Sequence, residues 1–202
     1  MKQTLSLLAL LLVMATAFAQ ETETATSISP NIGVRIGCNV STVHGTEFDG
    51  KWKPGINVGV IADFRISDAW EVRPGVYYTR KGFGEGSAFD VGYKAQLDYL
   101  EMPILAVYRK AAGTKSTFEL QAGPYFSYGI GGKTDLKKGL YDVYSYNKSF
   151  GRFKHFDWGA NVGFGFEIDK LYIGASYDFG FVSIIRHALN HCIMANVGYR
   201  IL

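Results

Sequence analysis

The feature that most constrains this chain is a regular alternation of bulky apolar residues with glycine or polar residues, kept over long runs. In residues 156–168, apolar side chains occupy every second position, and glycine, asparagine, aspartate and glutamate occupy all the others. A period of two is typical of a β-strand. Runs of this kind predict eight strands, which cover residues 31–41, 55–66, 70–81, 96–109, 117–131, 154–168, 171–182 and 192–202.

The length and the polarity of these runs predict a membrane protein. Strands of soluble proteins usually have about 5–6 residues, whereas a strand that crosses a bilayer needs about 9–11. An eight-stranded barrel has a narrow interior that side chains must fill, so the small residues belong inside and the bulky apolar ones outside. Only lipid tolerates such an outer surface. We therefore predict an all-β fold, a closed eight-stranded antiparallel up-and-down transmembrane β-barrel.

Composition excludes several other classes of protein. Charged residues make up 19% of the chain and aromatic residues 15%, which is unlike a disordered protein. Two cysteines are too few for a disulfide-dense scaffold. The formal net charge of +3 gives no electrostatic reason to expect nucleic acid as a partner.

The first residues have the pattern of an export signal. Lys2 is followed by an apolar run over residues 5–15 and then by the small-x-small site Ala17-Phe18-Ala19. We predict a signal peptide over 1–19, a flexible lead-in over 20–30 and an outer-membrane β-barrel domain over 31–202. The expected location is the cell outer membrane, where lipid and lipopolysaccharide surround the protein.

Short and long connections alternate between the predicted strands. Residues 67–69 and 169–170 are predicted as tight periplasmic turns, and 42–54, 82–95, 132–153 and 183–191 as the outer loops. The third outer loop is the longest, and its lysines and tyrosines suit contact with protein, glycan or lipopolysaccharide. The alternative is that it extends strands five and six as a solvated hairpin. Because proline removes a ladder hydrogen bond, Pro74, Pro103 and Pro124 are predicted to mark bulges.

Three segments carry a family resemblance. They read LDYLEMPILAVYR in residues 97–109, DWGANVGFGFEI in residues 157–168, and VGYRIL in residues 197–202. Together they resemble the small outer-membrane β-barrels of Bacteroidetes-type Gram-negative bacteria, the PorT-like barrels. The resemblance implies an eight-stranded barrel in the outer membrane. Some relatives take part in secretion across that membrane, and others are regarded as structural or surface proteins.

The alternation also predicts which charged side chains point into the barrel. They are Arg35, Asp63, Arg65, Glu71, Arg73, Glu101, Arg109, Glu119, Asp157, Glu167, Asp178 and Arg200. Buried charges must be paired, and the planar guanidinium of arginine suits carboxylates. A proton or ion path is one interpretation. A salt-bridged plug with Glu101 at its centre is the interpretation that we favour, because eight strands leave a lumen barely wide enough for side chains.

The histidines give little support for a catalytic or metal-binding site. A barrel enzyme that modifies lipid would need a histidine with a serine or an aspartate, and Ser183, His187, His191 and Asp178 are the candidates. His187 and His191, with His44 from a neighbouring loop, would leave a metal ion short of ligands. We therefore predict no catalytic residue, no cofactor and no metal.

The two cysteines allow a disulfide. Cys38 and Cys192 lie on the first and last strands, which become neighbours when the barrel closes, and the compartment is oxidising. Against a bond, the alternation places Cys38 outward and Cys192 inward. The alternative is two small buried residues.

The functional expectation is a non-enzymatic, monomeric outer-membrane barrel with a structural or surface-interaction role through its outer loops. The main alternative is an accessory of protein secretion or envelope assembly. A lipid A-modifying enzyme and a soluble lipocalin-like carrier are the remaining alternatives.

Overall fold

The computed structural model describes residues 30–45, 50–88, 91–138, 141–146, 154–183 and 188–201. The predicted signal peptide and nearly all of the predicted lead-in lie outside the described residues. The strands are β1 (Asn31–Gly45), β2 (Lys53–Arg65), β3 (Trp70–Ala88), β4 (Val91–Ala111), β5 (Ser116–Lys138), β6 (Tyr141–Tyr146), β7 (Phe156–Ile168), β8 (Leu171–Gly180) and β9 (Ala188–Arg200). In this part of the chain, no helix is long and apolar enough to span a bilayer.

Eight of the strands close into a cylinder. Each pairs antiparallel with the next, β1 pairs with β9, and the β4–β5 pairing completes the ring. The first part of β5, residues 116–128, pairs with β7, and its last residues, 134–138, pair with the short strand β6. The predicted closed eight-stranded antiparallel barrel is confirmed, and β6 is an extension above it.

The bulky apolar side chains cover the outside of the cylinder. Ile36, Phe164 and Ile173 are 59%, 53% and 60% exposed, although each lies within a barrel strand. The alternate positions, such as Arg35 and Asp63, are buried in the lumen. This orientation requires lipid outside, and it contradicts the soluble carrier with an apolar interior.

Aromatic contacts mark the two edges of the apolar band. At the periplasmic edge the ring centroids of Trp70 and Tyr108 lie 5.3 Å apart. At the outer edge the Trp158 and Phe181 rings lie 5.1 Å apart, edge to face. Aromatic girdles of this kind are typical of outer-membrane barrels, where amphipathic rings sit at the headgroup level.

The short turns form as predicted, but the prolines do not mark bulges. Asp169 opens the β7–β8 turn with a φ of 54°, a left-handed conformation that aspartate tolerates. The ladder register runs unchanged past Pro74, Pro103 and Pro124. A proline removes one hydrogen bond without inserting a residue, so the predicted bulges are wrong. The register instead shifts at three places near the outer rim.

The outer rim is uneven. The predicted outer loop 82–95 is largely a β3–β4 hairpin whose ladder reaches Ala88 and Val91. The predicted loop 132–153 contains the end of β5 and all of β6, which pair as far as Lys138 and Tyr141. The hairpin alternative for the third loop is therefore correct for the described residues. We call β3, β4, β5 and β6 above the barrel the tall wall.

Candidate functional site

The lumen is filled by side chains, and glycines make the room for the largest of them. The ring of Tyr172 lies against Gly165 and Gly174 on β7 and β8. A Cβ on Gly174 would lie 2.1 Å from the Tyr172 hydroxyl oxygen, and a Cβ on Gly165 would lie 2.4 Å from the Tyr172 ring. Tyr77 lies against Gly59 in the same way. The glycines that alternate with apolar residues in the sequence thus provide the space for tyrosines inside.

Arginines and acids fill the periplasmic half of the lumen, and Arg73 lies at their centre. Its Nη1 lies 2.8 Å from Glu119 Oε2, and its Nε donates to Asp63 Oδ1. Arg73, Glu119 and Asp63 are all almost fully buried. Arg35 lies 3.7 Å from Glu119 and stacks its guanidinium over the Tyr172 ring.

Two further arginines complete this arginine cluster. Arg109 lies 2.9 Å from both Glu119 Oε1 and Glu167 Oε1, and it donates to Glu71 at 3.2 Å. Arg200 lies 2.8 Å from Glu167 Oε2. The arginine cluster consists of Arg35, Asp63, Glu71, Arg73, Arg109, Glu119, Glu167 and Arg200. Four arginines face four acids, so its formal charges balance.

Arg65 differs from the sequence prediction. Its side chain is 59% exposed at the periplasmic mouth and lies 3.7 Å from Glu71 Oε1. The alternation assigned its direction correctly, but β2 ends at this residue, so the side chain extends beyond the lumen.

A second cluster occupies the outer half of the lumen around Lys81, a residue that the sequence prediction missed. Lys81 Nζ donates to Glu101 and lies 2.7 Å from Asp178 Oδ2. Asp178 also accepts a hydrogen bond from Asn161 at 2.6 Å. The alternation could have indicated this residue, because Lys81 lies on the same face of its strand as Glu71 and Arg73. It was missed because Lys81 is the last residue of the predicted strand.

Asp157 belongs to this lysine cluster but is held differently. One of its oxygens accepts hydrogen bonds from Tyr125 and Asn190, each at 3.3 Å, and the other oxygen has no hydrogen-bond partner although it is buried. The lysine cluster therefore consists of Lys81, Glu101, Asp157 and Asp178, one cation with three acids. Glu101 lies in this cluster and not at the centre of the whole network.

Apolar side chains close the lumen at the outer ends of the strands. Val43, Phe83 and Leu97 are almost completely buried there, on β1, β3 and β4. Gly50 of the first outer connection lies against Val43 and Phe83, and its N–H donates to the Val43 carbonyl at 2.9 Å. The lysine cluster is thus enclosed between an apolar layer above and the arginine cluster below.

In the part of the chain that the structure describes, the candidate catalytic residues are not brought together, and of the candidate metal ligands only His44 and His191 are neighbours. Asp178 points into the lumen, whereas His191 lies outside, where Tyr177 Oη is 2.6 Å from its Nδ1. The His44 and His191 rings lie 6.4 Å apart, edge to face. His187 lies outside the described residues. Among those described, no group of three or more histidine, cysteine or acidic side chains could hold a metal ion.

The two cysteines do not form the disulfide that the sequence allowed. Both are free, with Cys38 exposed on the lipid side and Cys192 buried in the lumen. In the β1–β9 ladder, Cys38 pairs with Ala195, and Cys192 pairs with Ser41. Opposite faces and a three-residue offset keep the two thiols apart.

Comparison with known proteins identifies a family. The family model described as outer membrane protein beta-barrel domain matches residues 18–186. A search of curated proteins gives no match.

Two solved structures also match most of the chain. The crystal structure of Ail, the attachment invasion locus protein of Yersinia pestis, is 17% identical and covers 85% of this chain and 99% of its own, with a TM-score of 0.47. The crystal structure of Neisserial surface protein A (NspA) is 15% identical and covers 84% of this chain and 96% of its own, also with a TM-score of 0.47.

Proposed function

Because this chain belongs to the family of outer membrane protein β-barrel domains, we propose that it is a non-enzymatic, monomeric barrel that supports contacts at the cell surface. In this proposal residues 1–19 are a cleaved signal peptide. The observation that supports the proposal is the combination of a solid lumen with an uneven outer rim. The barrel is a rigid base, and the tall wall is the part available for contact.

The filled lumen favours a supporting role over transport. Arg73, Lys81, Glu119 and Tyr125 are almost fully buried, and ion pairs and glycine contacts hold the side chains in place. Opening a path would require breaking buried ion pairs, each of which costs several kcal/mol to disrupt, about 3–5. The charged network therefore serves stability in this proposal.

The tall wall offers a β-edge. Among the described strands, β6 pairs with β5 alone, so none of them covers its second edge. An unpaired strand edge presents N–H and C=O groups that can pair with an extended segment of another protein. In proteins with a rigid scaffold, binding residues are concentrated in the segments that connect its main elements, and β6 lies in such a segment. We propose contact with an extended peptide segment at this edge.

The experiment removes the edge and keeps the barrel. In one variant a short glycine-serine linker replaces residues 135–150, and in a matched control the same residues are present in scrambled order. Proteoliposomes that carry each form are tested on arrays of glycans and of extracellular proteins. We expect all forms to show the heat-modifiable gel migration of a folded barrel, and we expect only the natural sequence to bind. Equal binding by all three forms would refute a role for the tall wall.

The non-enzymatic part has its own measurement. Mass spectra of lipid A from cells with and without the protein should be identical. A mass change that disappears in the His191→Ala variant would instead establish a lipid-modifying activity.

An accessory role in secretion or envelope assembly is the second candidate, and the resemblance to PorT-like barrels supports it. The surfaces for such a role are the periplasmic turns around Asp68 and Asp169, both of which are exposed. Photo-crosslinkers placed at these two positions should capture other envelope proteins if the role is real. A crosslinker at the exposed Gly113, in the turn between β4 and β5, provides the control for chance encounters.

A further inference from the structure

Three exposed lysines lie side by side where the tall wall leaves the barrel. Lys51 forms a β-bridge with Gly84, and Lys133 is the ladder partner of Gln96. Lys94 lies two residues before Gln96 on the same strand, and all three lysine side chains are exposed. Lys51, Lys94 and Lys133 are called the lysine strip below.

The lysine strip is on the lipid side of the wall. Phe83, Ala95 and Leu97 point inward and are almost fully buried, so the positions that alternate with them point outward. Lys94 and Gln96 are two such positions. Lys133 points to the same face, because it is the ladder partner of Gln96. A Cβ on Gly84 would lie 3.2 Å from the Lys51 Cβ, so Lys51 also lies on that outer face.

A neutralised ion pair separates the lysine strip from the apolar band. Arg80 Nε donates to Asp98 Oδ1 at 2.8 Å, and the Tyr78 hydroxyl donates to the same oxygen at 2.8 Å. Below them on this face the surface is apolar, with Ile130 55% exposed. Asp98 offsets the charge of Arg80, and Asp135 is the ladder partner of Lys94. Asp98, the described acid below the strip, is already paired with Arg80, and none of the ion pairs between described side chains involves a lysine of the strip.

We propose that the lysine strip binds the phosphate groups of the phosphorylated glycolipid that forms the outer leaflet. Lysine binds phosphate as a compact point charge, and its long stem can lie along apolar surface while its ammonium reaches the headgroups. Basic side chains near an anionic membrane surface each add to binding, and the effect weakens with salt. This inference depends on the outer-membrane location and is independent of the surface contact proposed above.

The experiment measures lipid association in vesicles. The full-length protein is reconstituted in one orientation in phosphatidylcholine vesicles whose leaflet at the tall wall alone contains a trace of spin-labelled diphosphorylated lipid A, the same lipid A without its phosphates, or phosphatidylglycerol. The immobilised fraction of each label gives its relative association constant. We expect the triple variant Lys51→Gln/Lys94→Gln/Lys133→Gln to lower the constant for diphosphorylated lipid A by about tenfold and to leave the dephosphorylated lipid unchanged.

The matched control makes the same change of charge at the opposite rim. Lys110, Lys115 and Lys170 are exposed on the periplasmic side, so Lys110→Gln/Lys115→Gln/Lys170→Gln should leave the constant unchanged. Heat-modifiable migration checks that both triple variants are folded. Equal loss in the two variants, no loss in either, or equal enrichment of phosphatidylglycerol would each overturn the proposal.

Discussion

The two halves of the lumen both bury charged side chains, but they balance the acids in different ways. In the arginine cluster, each carboxylate is shared between guanidinium groups, and Glu119 contacts Arg73 at 2.8 Å and Arg109 at 2.9 Å. In the lysine cluster, a single ammonium serves Glu101 and Asp178, and neutral donors hold Asp157.

The difference follows from the chemistry of the two cations. A guanidinium presents five donors in a plane and can serve several carboxylates at once, whereas an ammonium has three donors at one point. A lattice of arginines can therefore cross the width of the barrel. The outer half instead depends on amides, phenols and an apolar cover. We expect the arginine cluster to carry more of the stability, and the substitutions below test that expectation.

The largest effect is expected for Arg73→Met. The substitution would leave Glu119 and Asp63 with fewer donors inside a closed lumen, and breaking a buried ion pair in this way costs about 3–5 kcal/mol. Guanidinium-induced unfolding in lipid vesicles, followed by tryptophan fluorescence, measures the change in the free energy of unfolding. Arg65→Met is the matched control, since Arg65 is 59% exposed, and its cost should stay within about 0.5 kcal/mol. Equal costs for the two variants would contradict a central role for Arg73.

Lys81→Met is expected to lower the free energy of unfolding by less than Arg73→Met does. The loss should be about 3 kcal/mol, near the lower end of the range for a broken buried ion pair. Lys81 serves two carboxylates, so its removal leaves two buried acids without their cation. The triple variant Lys81→Met/Glu101→Gln/Asp178→Asn also removes the two acid charges, so it should recover most of the free energy of unfolding that Lys81→Met loses. If the triple variant were less stable than Lys81→Met, the acids would have a role that does not depend on the lysine.

The sequence was sufficient for the barrel because alternation reports directly which face meets lipid. It predicted the inward direction of the charged residues for the same reason, as Arg35 and Glu167 show. Alternation cannot say how far a strand continues once both of its faces meet water, so the β3–β4 part of the tall wall was predicted as a loop, and a hairpin was only an alternative for the third outer loop. Alternation also does not show which side chains contact each other across the lumen, because those contacts depend on the tilt of the strands. The position of Lys81 between Glu101 and Asp178 could therefore be read only from the structure.

Gly174→Ala tests the packing that lies beside the arginine cluster. The added Cβ would lie 2.1 Å from the Tyr172 hydroxyl oxygen, and Tyr172 in turn stacks on Arg35. Overpacking of this kind costs about 1–3 kcal/mol, measured in the same unfolding experiment. Gly113→Ala is the control, because the nearest atom to a Cβ there is 3.9 Å away, and it should have little effect. A neutral Gly174→Ala would mean that Tyr172 can leave its position freely.

The smallest effect, and the one that distinguishes the two halves most directly, is expected for Asp157→Asn. Its carboxylate is held by Tyr125 and Asn190, and its second oxygen is buried without a hydrogen-bond partner. Removing that charge should lower the free energy of unfolding by less than about 1 kcal/mol, or should raise it, because a buried charge that has only neutral donors in contact with it is costly. Glu119→Gln makes the same chemical change in the arginine cluster and should be clearly destabilising, since it leaves Arg73 and Arg109 short of an anion. If both variants lost the same free energy of unfolding, the proposed difference between the two halves would be wrong.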